Sequence, residues 1–167
     1  MKYLLHIPKT GGTSLLVSGI PGGHHITYEK GKKYIVLIRD PIKRIISQFS
    51  EINEKNENRI DSFFIKNYSN FQTNWLKSKL NVNSLDEIKN ILSKDFIVCP
   101  TDRLNELMTY LNLKPIKVNT SRRIYNLNDF EKNFILKENK LDLELYEFSK
   151  KRFDYLLNSY FKVNRNV

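Results

Sequence analysis

The sequence predicts an α/β fold in three layers, with a central parallel sheet flanked by helices. Short apolar runs typical of strands alternate along the chain with longer segments of helical periodicity, which is the pattern of repeated crossover units. The two clearest strands are predicted over 2–7 and 34–38. Both consist mainly of apolar residues, and the continuous apolar run over 34–38 is typical of a parallel strand that is buried on both faces. The length of 167 residues suits one domain with one substantial core, and we expect that domain to span 1–167.

Further strands and helices are predicted along the rest of the chain. Runs of β-branched and apolar residues predict strands over 95–99 and 116–118, and a short one over 25–28. Apolar residues at helical spacing, bounded by capping residues, predict helices. The expected helices are 13–18, 41–53, 60–68, 71–80, 85–94, 102–111, 129–138 and 142–160. In a sheet built this way, ligands bind outside the carboxyl ends of the strands.

Capping residues precede several of these helices. Asp40 suits the N-cap of the second helix and Pro41 its first helical position. Ser84 stands three residues before a glutamate, which is the sequence of a capping box. Thr101 and Asn128 are N-cap candidates of two later helices.

A segment suited to holding an anion joins the first strand to the first helix. It reads Pro-Lys-Thr-Gly-Gly-Thr-Ser over 8–14. Adjacent glycines let the backbone approach a ligand, amide N–H groups converge at the helix N-terminus, and Lys9 adds a positive charge. The lysine precedes the glycines, whereas in nucleoside-triphosphate loops it directly precedes the hydroxyl that holds magnesium. The segment predicts a P-loop-like cradle for phosphate or sulfate without an obligatory metal; an ordinary glycine turn is the alternative.

A second polar group follows the next buried strand. Arg39 comes directly after the strand over 34–38, and Ser47 lies eight residues later, about two turns along the helix that begins beside it. An arginine fork with a nearby hydroxyl can bind a second phosphate. A surface ion pair is the other interpretation of such an arginine.

Together the two segments resemble the PAPS-dependent sulfotransferases, and in particular the carbohydrate branch that includes the heparan sulfate 2-O-sulfotransferases. In that family the first loop binds the 5′-phosphosulfate of 3′-phosphoadenosine 5′-phosphosulfate (PAPS), and the arginine and serine bind its 3′-phosphate. The resemblance therefore implies that the 3′-phosphate is bound by Arg39 and Ser47. It implies that the 5′ end is bound by Lys9, Thr10, Gly11, Gly12, Thr13 and Ser14.

The resemblance extends to a candidate catalytic base. Gly23-His24 is similar to a Gly-His element that supplies the base in the 2-O-sulfotransferase branch. A neutral imidazole is well matched to taking a proton from a hydroxyl near neutral pH. His25 is the alternative base. We expect His6, inside the first strand, to be a core residue with satisfied hydrogen bonds or a support for the site.

Weaker matches follow in the family's order over the rest of the chain. Residues 70–76 resemble an Asn-x-Gln-Thr-Arg-x-Leu segment, with Asn74 in place of the arginine, and 101–104 and 141–146 resemble two later elements. In the family, a loop near residue 120 helps to enclose the donor nucleotide. The resemblance implies that this loop contacts the donor, or an acidic acceptor, through Ser121, Arg122 and Arg123. An ordinary surface turn is the alternative.

The composition is strongly basic. The formal net charge is +10, which favours binding of a multiply anionic donor and of an acidic acceptor. It would also favour nucleic acid. The sequence has no zinc spacing, RNP element or basic helical register, so we expect no dedicated nucleic-acid site.

The sequence also predicts the cellular compartment of the protein. No apolar segment is long enough to span a bilayer. The first strand begins at residue 2, which predicts no cleavable signal or anchor, and the lone Cys99 is expected to be a core residue outside any disulfide. These features predict a soluble cytoplasmic protein.

Three function classes follow from these patterns. The first is a sulfotransferase that moves a sulfuryl group from PAPS to an acceptor hydroxyl by in-line transfer, leaving 3′-phosphoadenosine 5′-phosphate (PAP), with His24 as base and Lys9 offsetting charge. The resemblance alone implies a saccharide acceptor. The alternatives are a P-loop nucleotide kinase-like phosphotransferase and a non-catalytic basic module that binds nucleotides or polyanions.

Overall fold

A parallel sheet forms the centre of the molecule. The computed structural model describes residues 1–52, 60–115 and 125–164, with side chains to residue 160. Within these residues a four-stranded sheet has the order β2-β1-β3-β4, and every neighbouring pair is parallel. The strands are β1 (Lys2–Leu5), β2 (Gly22–Gly23), β3 (Lys33–Ile38) and β4 (Phe96–Pro100). The predicted α/β fold with a central parallel sheet is confirmed.

Helices connect and cover these strands. They are α1 (Thr13–Val17), α2 (Pro41–Ile52), α3 (Ser62–Asn67), α4 (Phe71–Leu80), α5 (Leu85–Asp95), α6 (Leu104–Tyr110), α7 (Asp129–Glu138) and α8 (Lys140–Asn164). Their bounds agree with the predicted ranges to within a few residues. In the part of the chain that the structure describes, none of these helices has the length and apolar character to cross a membrane.

The core lies on both faces of the sheet, because successive strand residues point to opposite sides. One face packs against α4 and α5 and presents Leu5, Ile7, Tyr34, Val36 and Ile38. The other packs against α1 and α6 and presents Leu4, Ile35, Leu37 and Cys99. The long helix α8 contributes to both clusters. Burial of each large aliphatic side chain contributes roughly 1.5–3 kcal/mol, which explains why the buried positions of β1 and β3 carry apolar side chains.

The predicted strand over 25–28 is wrong. The residues that pair with β1 are Gly22 and Gly23, in register with Leu4 and Leu5. A Cβ atom on Gly22 would lie only 2.3 Å from the carbonyl oxygen of Leu4, so this close pairing requires glycine. The apolar residues of the predicted strand, Ile26 and Tyr28, pack on the core as part of a loop instead. The strand expected over 116–118 lies outside the described residues.

The predicted helix caps are confirmed at three positions and wrong at one. Asp40 accepts a hydrogen bond from the backbone N–H of Lys43 at 2.9 Å, and Ser84 and Asn128 form complete capping boxes. Thr101 does not cap a helix. It stands in a 3₁₀ turn (Thr101–Arg103) that precedes α6, and its hydroxyl serves a different partner at the site described below.

Candidate functional site

A polar cavity of about 300 Å³ opens where β1 and β3 end, at the edge of the sheet that the sequence predicts for ligand binding. Both strand-following motifs reach it because the parallel strands end on the same side. The cavity is lined by His6, Pro8, Lys9, Gly11, Thr13, His24, Arg39, Ser47 and Glu51. Six of these nine are predicted site residues, and His6, Pro8 and Glu51 are not.

The loop over 8–14 has the backbone conformation of an anion cradle. Lys9 has a φ of 67° and Gly11 a φ of 84°, and Gly12 follows with a φ of −62°. Such an alternation in the sign of φ turns successive amide groups toward one side, as in anion-binding nests. Two backbone hydrogen bonds, from Leu15 N and Leu16 N to Gly12 O at 3.0 and 3.2 Å, then begin α1.

The side chains of this loop divide into two groups. Thr13 lines the cavity. Thr10 and Ser14 are buried, and the Thr10 hydroxyl donates to the carbonyl oxygen of Ile7 at 2.8 Å, which closes the turn. Neither of these two residues lines the cavity, and neither does Gly12. The hydroxyl of Thr101 donates to Thr10 O at 2.7 Å, so the end of β4 supports the loop.

Gly12 is required by the approach of an imidazole. A Cβ atom at this position would lie 2.4 to 2.8 Å from three ring atoms of His6, a distance that side chains do not tolerate. The ring of His6 is therefore packed directly against the loop. This contact explains the second glycine of the motif, whereas the positive φ of Gly11 explains the first.

Arg39 connects the second motif to the first. Its Nη1 donates to the carbonyl oxygen of Lys9 at 3.0 Å, and Ser47 lines the same cavity from α2. The side chain is half-buried, and burial lowers the pKa of Arg39 while neighbouring Asp40 acts in the opposite direction. A partly desolvated guanidinium beside a hydroxyl is suited to an oxyanion.

A pair of histidines forms another side of the cavity. The rings of His6 and His24 stack with their centroids 4.1 Å apart and their planes at 24°. Nδ1 of His24 lies 2.7 Å from the carbonyl oxygen of His6. A carbonyl oxygen only accepts, so Nδ1 of His24 carries the proton in this hydrogen bond and neutral His24 keeps its lone pair on Nε2.

Of the two expectations for His6, the core residue with satisfied hydrogen bonds is wrong, and the residue lines the cavity instead. It is buried, and its Nδ1 has no hydrogen-bond partner among the described residues. Burial, with a smaller contribution from the charge of His24, lowers the pKa of His6 from 6.5 to about 4. His6 is therefore neutral around pH 7. His6 stands only two residues before the loop over 8–14, and this closeness in sequence could have predicted that it lies at the site.

The structure does not bring His25 into the cavity. β2 ends at Gly23 and the chain turns at residues 24 and 25, so that only the first histidine reaches the lining. His25 is exposed. The geometry therefore does not support His25 as the alternative base.

Glu51 is the acidic member of the cavity lining, and the sequence pattern did not identify it. It forms an ion pair with Lys9, and it stands four residues after Ser47 on the same side of α2. The Lys9 ammonium thus already has a carboxylate partner. The helical spacing from Ser47 was the signal that could have placed Glu51 here.

Some predicted contacts fall outside the described residues. Ser121, Arg122 and Arg123 belong to this group, so the structure does not place them.

Over 1–52, 60–115 and 125–164, there is no cluster of three or more histidine, cysteine or acidic side chains that could hold a metal ion. No protein-family model matches the chain, and no curated protein matches its sequence.

Proposed function

We propose that this chain is a PAPS-dependent sulfotransferase with a P-loop-like donor site, which transfers a sulfuryl group to an acceptor hydroxyl. A saccharide is the acceptor class that the resemblance implies, and the proposed transfer has no obligatory metal. One observation carries the proposal: a single cavity unites Lys9 and the glycine loop, the Arg39–Ser47 pair and a histidine of defined tautomer.

The two cationic groups suit a nucleotide that carries an anion at each end. The loop over 8–14 would bind the 5′-phosphosulfate through amide N–H groups and Lys9, and Arg39 with Ser47 would bind the 3′-phosphate. The hydrogen bond from Arg39 to Lys9 O fixes the two subsites relative to each other. A nucleotide with only one of the two anionic ends would leave one subsite without its partner.

His24 is the group that takes the acceptor proton. The acceptor oxygen forms the new bond to sulfur while the bond between sulfur and the 5′-phosphate oxygen breaks, and the hydroxyl proton passes to Nε2 of His24. PAP leaves with the negative charge of the broken bond on its 5′-phosphate. Lys9 and the loop amide groups stabilise that charge as it develops. Neutral His6 stacks on the imidazole and holds it against the loop.

A thermal-shift measurement tests this proposal against the kinase-like alternative. At about one hundred times its Kd, a ligand adds about 2.7 kcal/mol of stability, which raises the Tm of a domain of this size by roughly 5–10 °C. We expect PAP to produce this shift and ATP with Mg²⁺ to produce none. A shift with ATP and Mg²⁺ alone would support a phosphotransferase, and no shift with PAP would overturn the proposal.

Transfer itself requires a second measurement, with sulfur-labelled PAPS and a panel of hydroxyl-bearing saccharides. We expect label in at least one acceptor and an equal amount of PAP. Binding of PAP without any transfer would indicate the non-catalytic binding module instead.

A further inference from the structure

A buried polar cluster joins the beginnings of α4 and α8 to Arg39. Gln72 is fully buried, and its side-chain amide binds the main chain of Arg39 at both of its polar groups. The Arg39 N–H donates to Oε1 of Gln72 at 2.8 Å, and Nε2 of Gln72 donates to the Arg39 carbonyl oxygen at 2.8 Å. These two hydrogen bonds fix the backbone of Arg39, directly after the end of β3, where its side chain leaves the main chain and extends toward the cavity.

Asp142, the third residue of α8, holds Gln72 in place. It is fully buried, and its Oδ2 accepts from the backbone N–H of Gln72 at 3.1 Å and from Nε2 at 3.4 Å. Its Oδ1 accepts from the N–H and the hydroxyl of Thr73, both at 2.8 Å. Burial raises the pKa of Asp142, while these hydrogen bonds and the charge of buried Arg44 oppose the increase.

Asn70 fixes the two helix beginnings relative to each other. Its Oδ1 accepts from the backbone N–H groups of Leu141 and Asp142 at 2.9 and 3.2 Å. Its Nδ2 donates to the carbonyl oxygen of Glu138 at 3.1 Å. The cluster is thus tied to the backbone of α8 on one side and to the backbone of Arg39 on the other.

An entirely structural role would not require this chemistry. Burial of an amide and a carboxylate is costly unless all their hydrogen bonds are made, and apolar residues of similar volume would join two helices at lower cost. An apolar residue at position 72 would leave the Arg39 N–H and carbonyl oxygen without these partners. The Gln72 amide binds both main-chain polar groups of Arg39, which an apolar side chain cannot do. It therefore sets the direction in which the Arg39 side chain leaves the sheet.

We infer that Gln72 is a positioning residue for the 3′-phosphate subsite, acting through the main chain of Arg39, and that Asp142 holds Gln72 in that position. The inference rests on the proposed function, because it concerns the subsite assigned to Arg39. If it is correct, the preference for nucleotides with a 3′-phosphate over those without one depends on Gln72, although Gln72 does not line the cavity.

The test compares the Kd values of PAP and AMP, which differ only in the 3′-phosphate. Calorimetry on the full chain gives the ratio of the two Kd values for wild type, Gln72→Met, Arg39→Ala and the double variant. We expect wild type to prefer PAP and Gln72→Met to lose at least about tenfold of that preference, since small displacements of a binding group have large effects. AMP affinity should change by less than about threefold, and Gln72→Met should add little to Arg39→Ala.

Thr73→Val is the matched control. It removes a hydroxyl that binds the same carboxylate, but Thr73 makes no hydrogen bond to Arg39. We expect it to lower the Tm and to leave the PAP-to-AMP ratio as in wild type. Asp142→Asn provides a second variant in case Gln72→Met fails to fold, and it should reduce the ratio in the same direction.

The outcomes separate this inference from the proposed function. An unchanged ratio in folded Gln72→Met or Asp142→Asn would overturn the inference, and so would an equal loss of PAP and AMP affinity, which indicates a structural role only. A wild-type protein that does not prefer PAP to AMP would overturn the proposed function itself, and with it the subsite on which Gln72 acts.

Discussion

At the scale of single residues, the proposed proton transfer requires that Nε2 of His24 be the unprotonated nitrogen. The carbonyl oxygen of His6 accepts the Nδ1 proton, so the lone pair of the neutral ring is on Nε2 before the acceptor arrives. No side-chain carboxylate is required to orient this imidazole, because the main-chain carbonyl group and the stacked ring of His6 do so. Of the two adjacent histidines of the sequence, only His24 lines the cavity.

We expect His24→Ala to lower kcat by at least about 100-fold, which is the usual minimum contribution of a general base. The Kd of PAP should change by less than about twofold, because the bound anions contact other residues. Steady-state transfer and calorimetry provide the two values. His25→Ala, at the exposed neighbouring position, should retain wild-type kcat, and full activity of His24→Ala would contradict the assignment.

His6 predicts a pH dependence of stability. Its pKa falls from 6.5 in the unfolded chain to about 4 in the folded protein, so between these values the unfolded chain binds more protons. Stability is therefore lost as the pH falls through this window, by at most about 1.4 kcal/mol per pH unit. His6→Gln lacks this titration. Urea unfolding at several pH values should show a shallower slope for His6→Gln, and equal slopes would contradict the burial of a neutral His6.

The residues of the site differed in how far the sequence could predict them. Lys9, Arg39 and Ser47 stand in motifs that directly follow strands or lie on a regular helix, so parallel pairing alone brings them together. His6 and Glu51 depend on which way a side chain points after the fold has formed. Sequence spacing could have placed both residues near the site. It could not show that His6 stacks on His24 or that Glu51 pairs with Lys9, because these contacts form only in the folded structure.

At the scale of elements, α2 presents a polar face to the cavity. Ser47 and Glu51 lie one turn apart on it, so the same helix offers both a hydroxyl for an anion and a carboxylate that competes with the anion for Lys9. Any anion that binds the Lys9 ammonium has to displace Glu51 or share the lysine with it.

Glu51→Gln should therefore strengthen PAP binding by about two- to fivefold at low salt, because an exposed ion pair of this type contributes at most about 1 kcal/mol. The gain should decrease as salt screens the charge. Calorimetry at two ionic strengths provides the test. Glu29→Gln removes the carboxylate that pairs with Lys32 outside the cavity and should have no such effect. Weaker binding by Glu51→Gln would contradict the competition.

The elements themselves were largely predictable because local signals agree with the tertiary structure. Apolar periodicity and the capping residues Asp40, Ser84 and Asn128 set the helix bounds. β2 was not predictable, since two glycines have no β-propensity and pair with β1 only through close backbone approach. Thr101 resembles a helix cap locally, but the fold directs its hydroxyl to carbonyl oxygens of the neighbouring loop and strand.

At the scale of the whole molecule, the sheet topology accounts for the convergence of the site. β1 and β3 are adjacent and parallel, so the cradle after one and the arginine after the other open on the same edge. Polar residues of α4 and α8, distant in sequence, then fix the second of these positions. The net charge of +10 favours polyanions in general, so we expect any selectivity among them to come from the residues of the cavity.

A crystal structure of this chain with bound PAP would show directly whether the cavity is a donor site. We expect the 5′-phosphate to lie against the amide groups of residues 9–14 and the Lys9 ammonium, and the 3′-phosphate to lie at Arg39 and Ser47, with Glu51 displaced from Lys9. PAP bound at another surface, or in this cavity with its two phosphates exchanged, would contradict this assignment.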